Sequence, residues 1–186
     1  MMNHIDVSSV LRETLACDLY SNLVTRSTGA AVRGQIEQLL GADDMRLRAL
    51  TVIDFSHVSM IDFSCADEVV AKLLMRYTSD DPPCEAYFLF RGVTEHHRDA
   101  IEAVLERHDL ALALEQEDGV ELMGVLPENE RRAWEATYRL GRAAAADVAN
   151  EIGVSPDAAR DLLDALSRRR LIMPAGGGFV AVGHAA

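Results

Sequence analysis

Residues 51–74, TVIDFSHVSMIDFSCADEVVAKLL, decide how this chain is read. Leu50, Val52, Ile53 and Phe55 form a dense apolar run, the pattern of a strand buried on both faces of a sheet. The run ends at Asp54-Phe55-Ser56, and a polar loop follows. A helix is then predicted over 64–77, with Ala66, Val69, Val70, Leu73, Leu74 and Tyr77 on one stripe. Strand, acidic loop and helix-opening serine together put a hydroxyl where backbone N–H groups most readily receive an anion.

Outward from this segment the pattern alternates. Residues 5–24 are compatible with an edge strand through Ile5, Val7 and Val10 and a second from 19 to 24. A helix is predicted from Ser27 or Thr28, with Val32, Ile36, Leu39 and Leu40 on one face and Gly41 at its end. The Asp80-Asp81-Pro82-Pro83 run breaks the chain before a strand over 86–90. Thr94 is the expected cap of a helix reaching Arg107, with Ile101, Val104 and Leu105 inward. Residues 110–115 and 120–125 read as strands joined around Asp118-Gly119. Helices alternating with strands argue for an α/β layer, a mixed sheet with helices packed on it.

Pro127 marks the expected boundary between a domain of residues 1–127 and one of residues 128–186. Helices are predicted over 128–140 and 143–152. Gly153-Val154-Ser155 turns the chain, and Ser155 as cap with Pro156 at the first helical position opens a third helix. Two short strands, 171–173 and 179–182, flank Gly176-Gly177-Gly178.

Composition narrows the function classes. The apolar fraction, 49% of 186 residues, supplies a real core. The net charge of −12 lies in residues 1–127, with 10 Lys/Arg against 22 Asp/Glu; residues 128–186 balance at 8 and 8. The first part should repel nucleic acid. Lys72 is the one lysine. Cys17, Cys65 and Cys84 form no CxxC and no even set, so a reducing compartment is the simpler reading. With no signal-like start and no run of roughly 20 apolar residues, a cytoplasmic location away from the membrane is expected.

Asp54-Phe55-Ser56, Val58, Asp62, Phe63-Ser64 and Cys65 resemble the STAS superfamily, the fold of bacterial anti-sigma-factor antagonists. Ser64-Cys65-Ala66-Asp67-Glu68 and Val24-Thr25-Arg26-Ser27 are closer to a divergent STAS-like family. The resemblance covers roughly residues 20–115. It implies partner switching: a kinase-like ATPase or anti-sigma-like factor phosphorylates the serine at the helix start, here Ser64, and the modified protein releases its partner. Asp54, Ser56, Asp62 and Asp67 would shape the switch loop, with Asp54 anchoring it by hydrogen bonds. Asp62, Asp67 and Glu68 would repel the added phosphate and sharpen the change in surface potential. Phe63 and Cys65 stand where the antagonists have serine and glycine. A plainer reading stands beside this one: Ser64 and Asp67 have the S-x-x-D spacing of a capping box, which needs no further role.

Residues 142–182 resemble a winged helix-turn-helix of bacterial regulators. The resemblance implies that the helix after Gly153 enters the major groove and the glycine-rich wing touches the backbone. Arg160, Arg168, Arg169 and Arg170 are the candidate DNA-binding residues. Asp157, Asp161 and Asp164 oppose phosphate contact, so a protein-binding or dimerisation role competes with DNA. Either output is compatible with a homodimer.

Other chemistry is thinly represented. Ser56, His57 and Asp62 lack the G-x-S-x-G elbow of a hydrolase. His96-His97 has no HExxH or nearby cysteine, so a solvated helix start is expected and no metal. No phosphate-loop or dinucleotide fingerprint occurs, and no cofactor is expected. The reading is therefore a non-enzymatic regulator: a STAS-like signalling domain coupled to a winged-helix output, with serine phosphorylation as candidate control. The alternative is a DNA-binding transcriptional regulator with a STAS-like effector domain.

Overall fold

The computed structural model describes residues 2–15, 22–42 and 49–184. At its centre lies a mixed five-stranded sheet in the order β1-β3-β5-β6-β7. The strands are β1 (Met2–Asp6), β3 (Ala49–Asp54), β5 (Ala86–Arg91), β6 (Ala111–Gln116) and β7 (Gly119–Gly124). The first four run parallel, and β7 returns antiparallel to β6 through a two-residue turn at Glu117-Asp118, shorter than the four-residue loop expected. A separate parallel pair, β2 (Asn22–Leu23) with β4 (Met60–Ile61), sits beside the main sheet.

Every second residue of the inner strands goes to a different core. Ile53, Ala86, Phe88, Phe90, Leu112, Leu114 and Met123 face one way. They meet α1 (Val7–Leu15), α2 (Arg26–Ala42), α5 (Glu95–Arg107) and the helical segment 63–78. Val52, Tyr87, Leu89, Ala111, Ala113 and Leu122 face the other way. Against these pack α6 (Glu128–Leu140), α7 (Ala145–Ile152), α8 (Pro156–Arg168) and the hairpin β8 (Ile172–Ala175)–β9 (Gly178–Ala181). This two-sided burial explains the unbroken apolar runs of the parallel strands. It also means that one apolar cluster continues across residue 127.

Several expectations need correction at the level of elements. Val7 and Val10 lie on α1 and bury its inner face, so the first strand ends at Asp6. Of the segment 19–24 only Asn22 and Leu23 are paired; residues 19–21, like Cys17 and residues 47–48, lie outside the described residues. Leu39 is exposed and Gly41 sits inside α2. The helix expected over 64–77 is three pieces: α3 (Phe63–Ala66), a π-helical turn (Asp67–Ala71) and α4 (Lys72–Thr78). The wider π turn turns all five of its residues inward.

Candidate functional site

The turn after β3 is built on Asp54. Its Oδ1 accepts the Ser56 N–H at 2.9 Å, as the anchoring role requires. Its Oδ2 lies 2.8 Å from Arg91 Nε and 2.8 Å from His4 Nε2. Burial opposes ionisation here, but the hydrogen bonds from Ser56, Arg91 and His4 outweigh it and hold the carboxyl well below the usual carboxylate range. Gly92 passes so close that a Cβ there would stand 2.3 Å from Ser56 N, at a φ of +68° that also favours glycine. Ser56 and His57 are exposed, and His57 Nδ1 lies 3.4 Å from Asp6. Asp62 is committed elsewhere, so Ser56, His57 and Asp62 do not assemble into a relay.

Asp62 caps the middle helix. Its Oδ1 accepts Cys65 N–H at 2.8 Å and the Ser64 hydroxyl at 2.9 Å. This corrects the capping-box expectation: Ser64 is the second residue inside the helix, half-buried, and its oxygen donates to the cap rather than serving as one. A carboxylate is the stronger acceptor for N–H donors and takes the position from the hydroxyl. Cys65 is buried and donates its Sγ–H to Thr25 O at 2.8 Å, joining the start of α2 to α3. Burial, with the nearby Asp62 charge, pushes the Cys65 thiol up to about 11, so it stays protonated.

Asp67, expected to shape the switch loop, and Glu68 are turned away from it. They lie in the π turn, 6% and 3% exposed. Asp67 meets Arg26 Nη1 at 2.9 Å and His108 Nε2 at 2.7 Å. Glu68 meets Arg26 at 3.0 Å, Arg33 at 3.4 Å, and Lys72 closely. Burial opposes both charges, yet these partners hold both carboxyls below their ordinary values. The repulsive acidic surface expected around Ser64 is therefore reduced to Asp62; the other two carboxylates are sunk and neutralised. Apolar side chains share the exposed surface of this segment with Thr25, Arg26 and Ser27. Val24, Met60 and Phe63, on or next to the β2–β4 pair, are exposed, and the Arg107 guanidinium sits 5.7 Å from the Phe63 ring centroid.

His97 also departs from expectation. It is fully buried, not solvated, because as the third residue of α5 its Nδ1 turns back to accept the Thr94 N–H at 3.1 Å. Burial lowers its pKa. His96 is exposed. Among the described residues no group of three His, Cys, Asp or Glu could hold a metal ion, and no helix is long and apolar enough to cross a membrane.

In the C-terminal unit Gly153 is left-handed (φ +73°), and Ser155 accepts Ala158 N–H at 3.2 Å to open α8. Asp157, Arg160, Asp161 and Asp164 are exposed on α8, and Arg168 is exposed at its end. Arg169 and Arg170 are not part of that outward surface. Arg169 pairs with Glu130 at 3.0 Å and donates to Asp109 O at 3.2 Å. Arg170 donates to Tyr77 O at 3.2 Å and lies over the Tyr87 ring at 5.6 Å. Both are taken up because α8 ends against the sheet layer, where the part-buried Tyr77 carbonyl and the largely buried Glu130 carboxylate receive them. A cation that the sequence did not point to takes a place near the hairpin turn: Arg142 Nη1 is 3.0 Å from where a Cβ on Gly176 would stand. Its distance in sequence from residues 174–179 hid it, although Ala143 pairs with Phe179.

Neither a protein-family model nor a curated protein matches this chain.

Proposed function

We propose that the chain is a non-enzymatic regulatory protein of STAS-like type, in which residues 1–127 engage a protein partner through the segment around Ser64 and a winged-helix unit, residues 128–186, carries the output. The observation that carries this reading is Ser64 itself: a half-buried hydroxyl hydrogen-bonded to Asp62 and preceded by the exposed Phe63, in a segment whose neighbouring strand pair also exposes Met60. Exposed apolar side chains beside a modifiable hydroxyl suit a surface that binds in one state and releases in the other. A kinase-like ATPase or anti-sigma-like factor is the partner class that the motif implies.

The test is partner capture by Ser64→Ala and Ser64→Asp in the full chain. Tight capture by the alanine variant and loss with aspartate is expected; equal capture by two folded variants removes the switch. A second reading, DNA binding by the C-terminal unit, is favoured by exposed Arg160 and Arg168 and by Arg142 beside the glycine turn. It requires a gel shift that weakens steeply with salt.

A further inference from the structure

The cations around Ser64 come from elements other than its own. Two helices pack against α3. From α2 comes Arg26, whose side chain is 53% exposed and whose Nη1 joins Asp67 and Glu68. From the end of α5 come Arg107, over the Phe63 ring, and His108, on Asp67. Asp67 follows Ser64 by three residues, so the two side chains share a helix face with Cβ atoms roughly 5–6 Å apart. Arg26 is held on Asp67 and Glu68, the residues three and four positions after Ser64, and so on the face of the helix that Ser64 shares. Arg107 is held over the residue immediately before Ser64.

Arg26 is also the cation that the network can spare. Asp67 keeps His108 if Arg26 leaves, and Glu68 keeps Arg33 and Lys72. Neither buried carboxylate would be stranded, the outcome that makes breaking a buried ion pair costly. Arg107 is held by an aromatic face.

We infer that Arg26 and Arg107 form a receiving clamp for a phosphoryl group on Ser64, and that Arg26 reaches it by leaving Asp67 and Glu68. This rests on the proposed control at Ser64 and adds which residues read the modification. In the transfer, the γ-phosphorus of a nucleoside triphosphate held by the kinase bonds to Ser64 Oγ. Its bond to the departing nucleoside diphosphate breaks, and the Oγ proton goes to the kinase's base. The product carries about −1.5 to −2 charges and three acceptor oxygens, which match guanidinium forks. Asp62, now accepting from the hydroxyl, is repelled, and a phosphate oxygen takes over the Cys65 N–H. Departure of Arg26 unties α2 from the π turn, and departure of Arg107 bares Phe63. One charge thus alters both the polar and the apolar parts of the rim.

The experiment installs phosphoserine at position 64 of the full chain during translation and follows its ³¹P shift against pH. A clamped phosphate should ionise about half a pH unit or more below a phosphoserine peptide, about a threefold change in proton affinity. Arg26→Ala and Arg107→Ala should each move the titration back toward the peptide, and Arg26→Lys should recover part of the shift. Arg33→Ala, in the same network but on Glu68, should leave it in place. Identical titrations for the parent and Arg26→Ala, or an equal effect from Arg33→Ala, overturn the clamp. Circular dichroism of each unmodified variant establishes that it is folded. The two readings fail separately: a shifted titration with no partner that distinguishes the two forms sinks the switch alone, whereas partner release with a peptide-like titration sinks the clamp alone.

Discussion

The two faces of the central sheet are closed by different means. On one face each covering helix lies in sequence between strands that it covers, as α5 lies between β5 and β6. On the other, the cover is a single later segment, residues 128–184, which brings Trp134, Leu163, Leu166, Ile172 and Val182 onto Tyr87, Leu89 and Ala113. The first face is built from local connections and the second from long-range ones. The C-terminal unit is therefore part of the sheet's own core as well as a candidate output, and any signal passing between the units crosses a packed apolar layer.

The largest effect should follow removal of the later cover. A chain ending at residue 127 should expose Tyr87, Leu89, Ala113 and Leu122 together and fail to unfold cooperatively; urea denaturation followed by circular dichroism checks this. Next in size are single cavities on either face. Leu73→Ala and Leu163→Ala, each at a fully buried position, should each cost about 2–5 kcal/mol. If the faces form one cooperative unit, both variants shift a single transition; two separate transitions would show that the units fold independently.

Acid provides a third test. Asp54, Asp67 and Glu68 are all held below their ordinary values in the folded chain. Their contribution to stability is complete above the unfolded-state values and is lost as pH falls through the folded-state ones, so it should fade below about pH 4. Asp54→Asn should be clearly less stable than the parent at pH 7, and the gap should narrow at pH 3. The smallest effect is at the cap. Asp62→Ala should cost about 0.5–2 kcal/mol and Ser64→Ala less, because Asp62 accepts the Cys65 N–H. The reverse order, measured by thermal melts, would restore the serine as the cap.

The elements were largely legible because their signals are local. Thr94, Gly153 and Ser155 mark their helix boundaries by short-range chemistry, and the unbroken apolar runs of the parallel strands report burial on both faces whatever the cover turns out to be. The site was less legible because its charges are satisfied at a distance. Nothing near Asp67 in sequence announces Arg26 or His108, 41 residues away on either side. A π turn has no periodicity signature that separates it from an α-helix over five residues, so Glu68 reads as a surface residue until the turn is seen. The same holds for Arg169 and Arg170, whose basic run looks outward in sequence but meets Glu130 and the Tyr77 carbonyl in space.

Lys72 gives the ion network a practical handle. As the one lysine of the chain, 40% exposed and bonded to Glu68, it is a natural single address for amine-directed labels, the α-amino group aside. A reagent that consumes free amines would read, through its rate at one side chain, whether Glu68 is holding on. Any rearrangement of the arginines around that carboxylate would then be visible in solution by mass spectrometry of a single peptide.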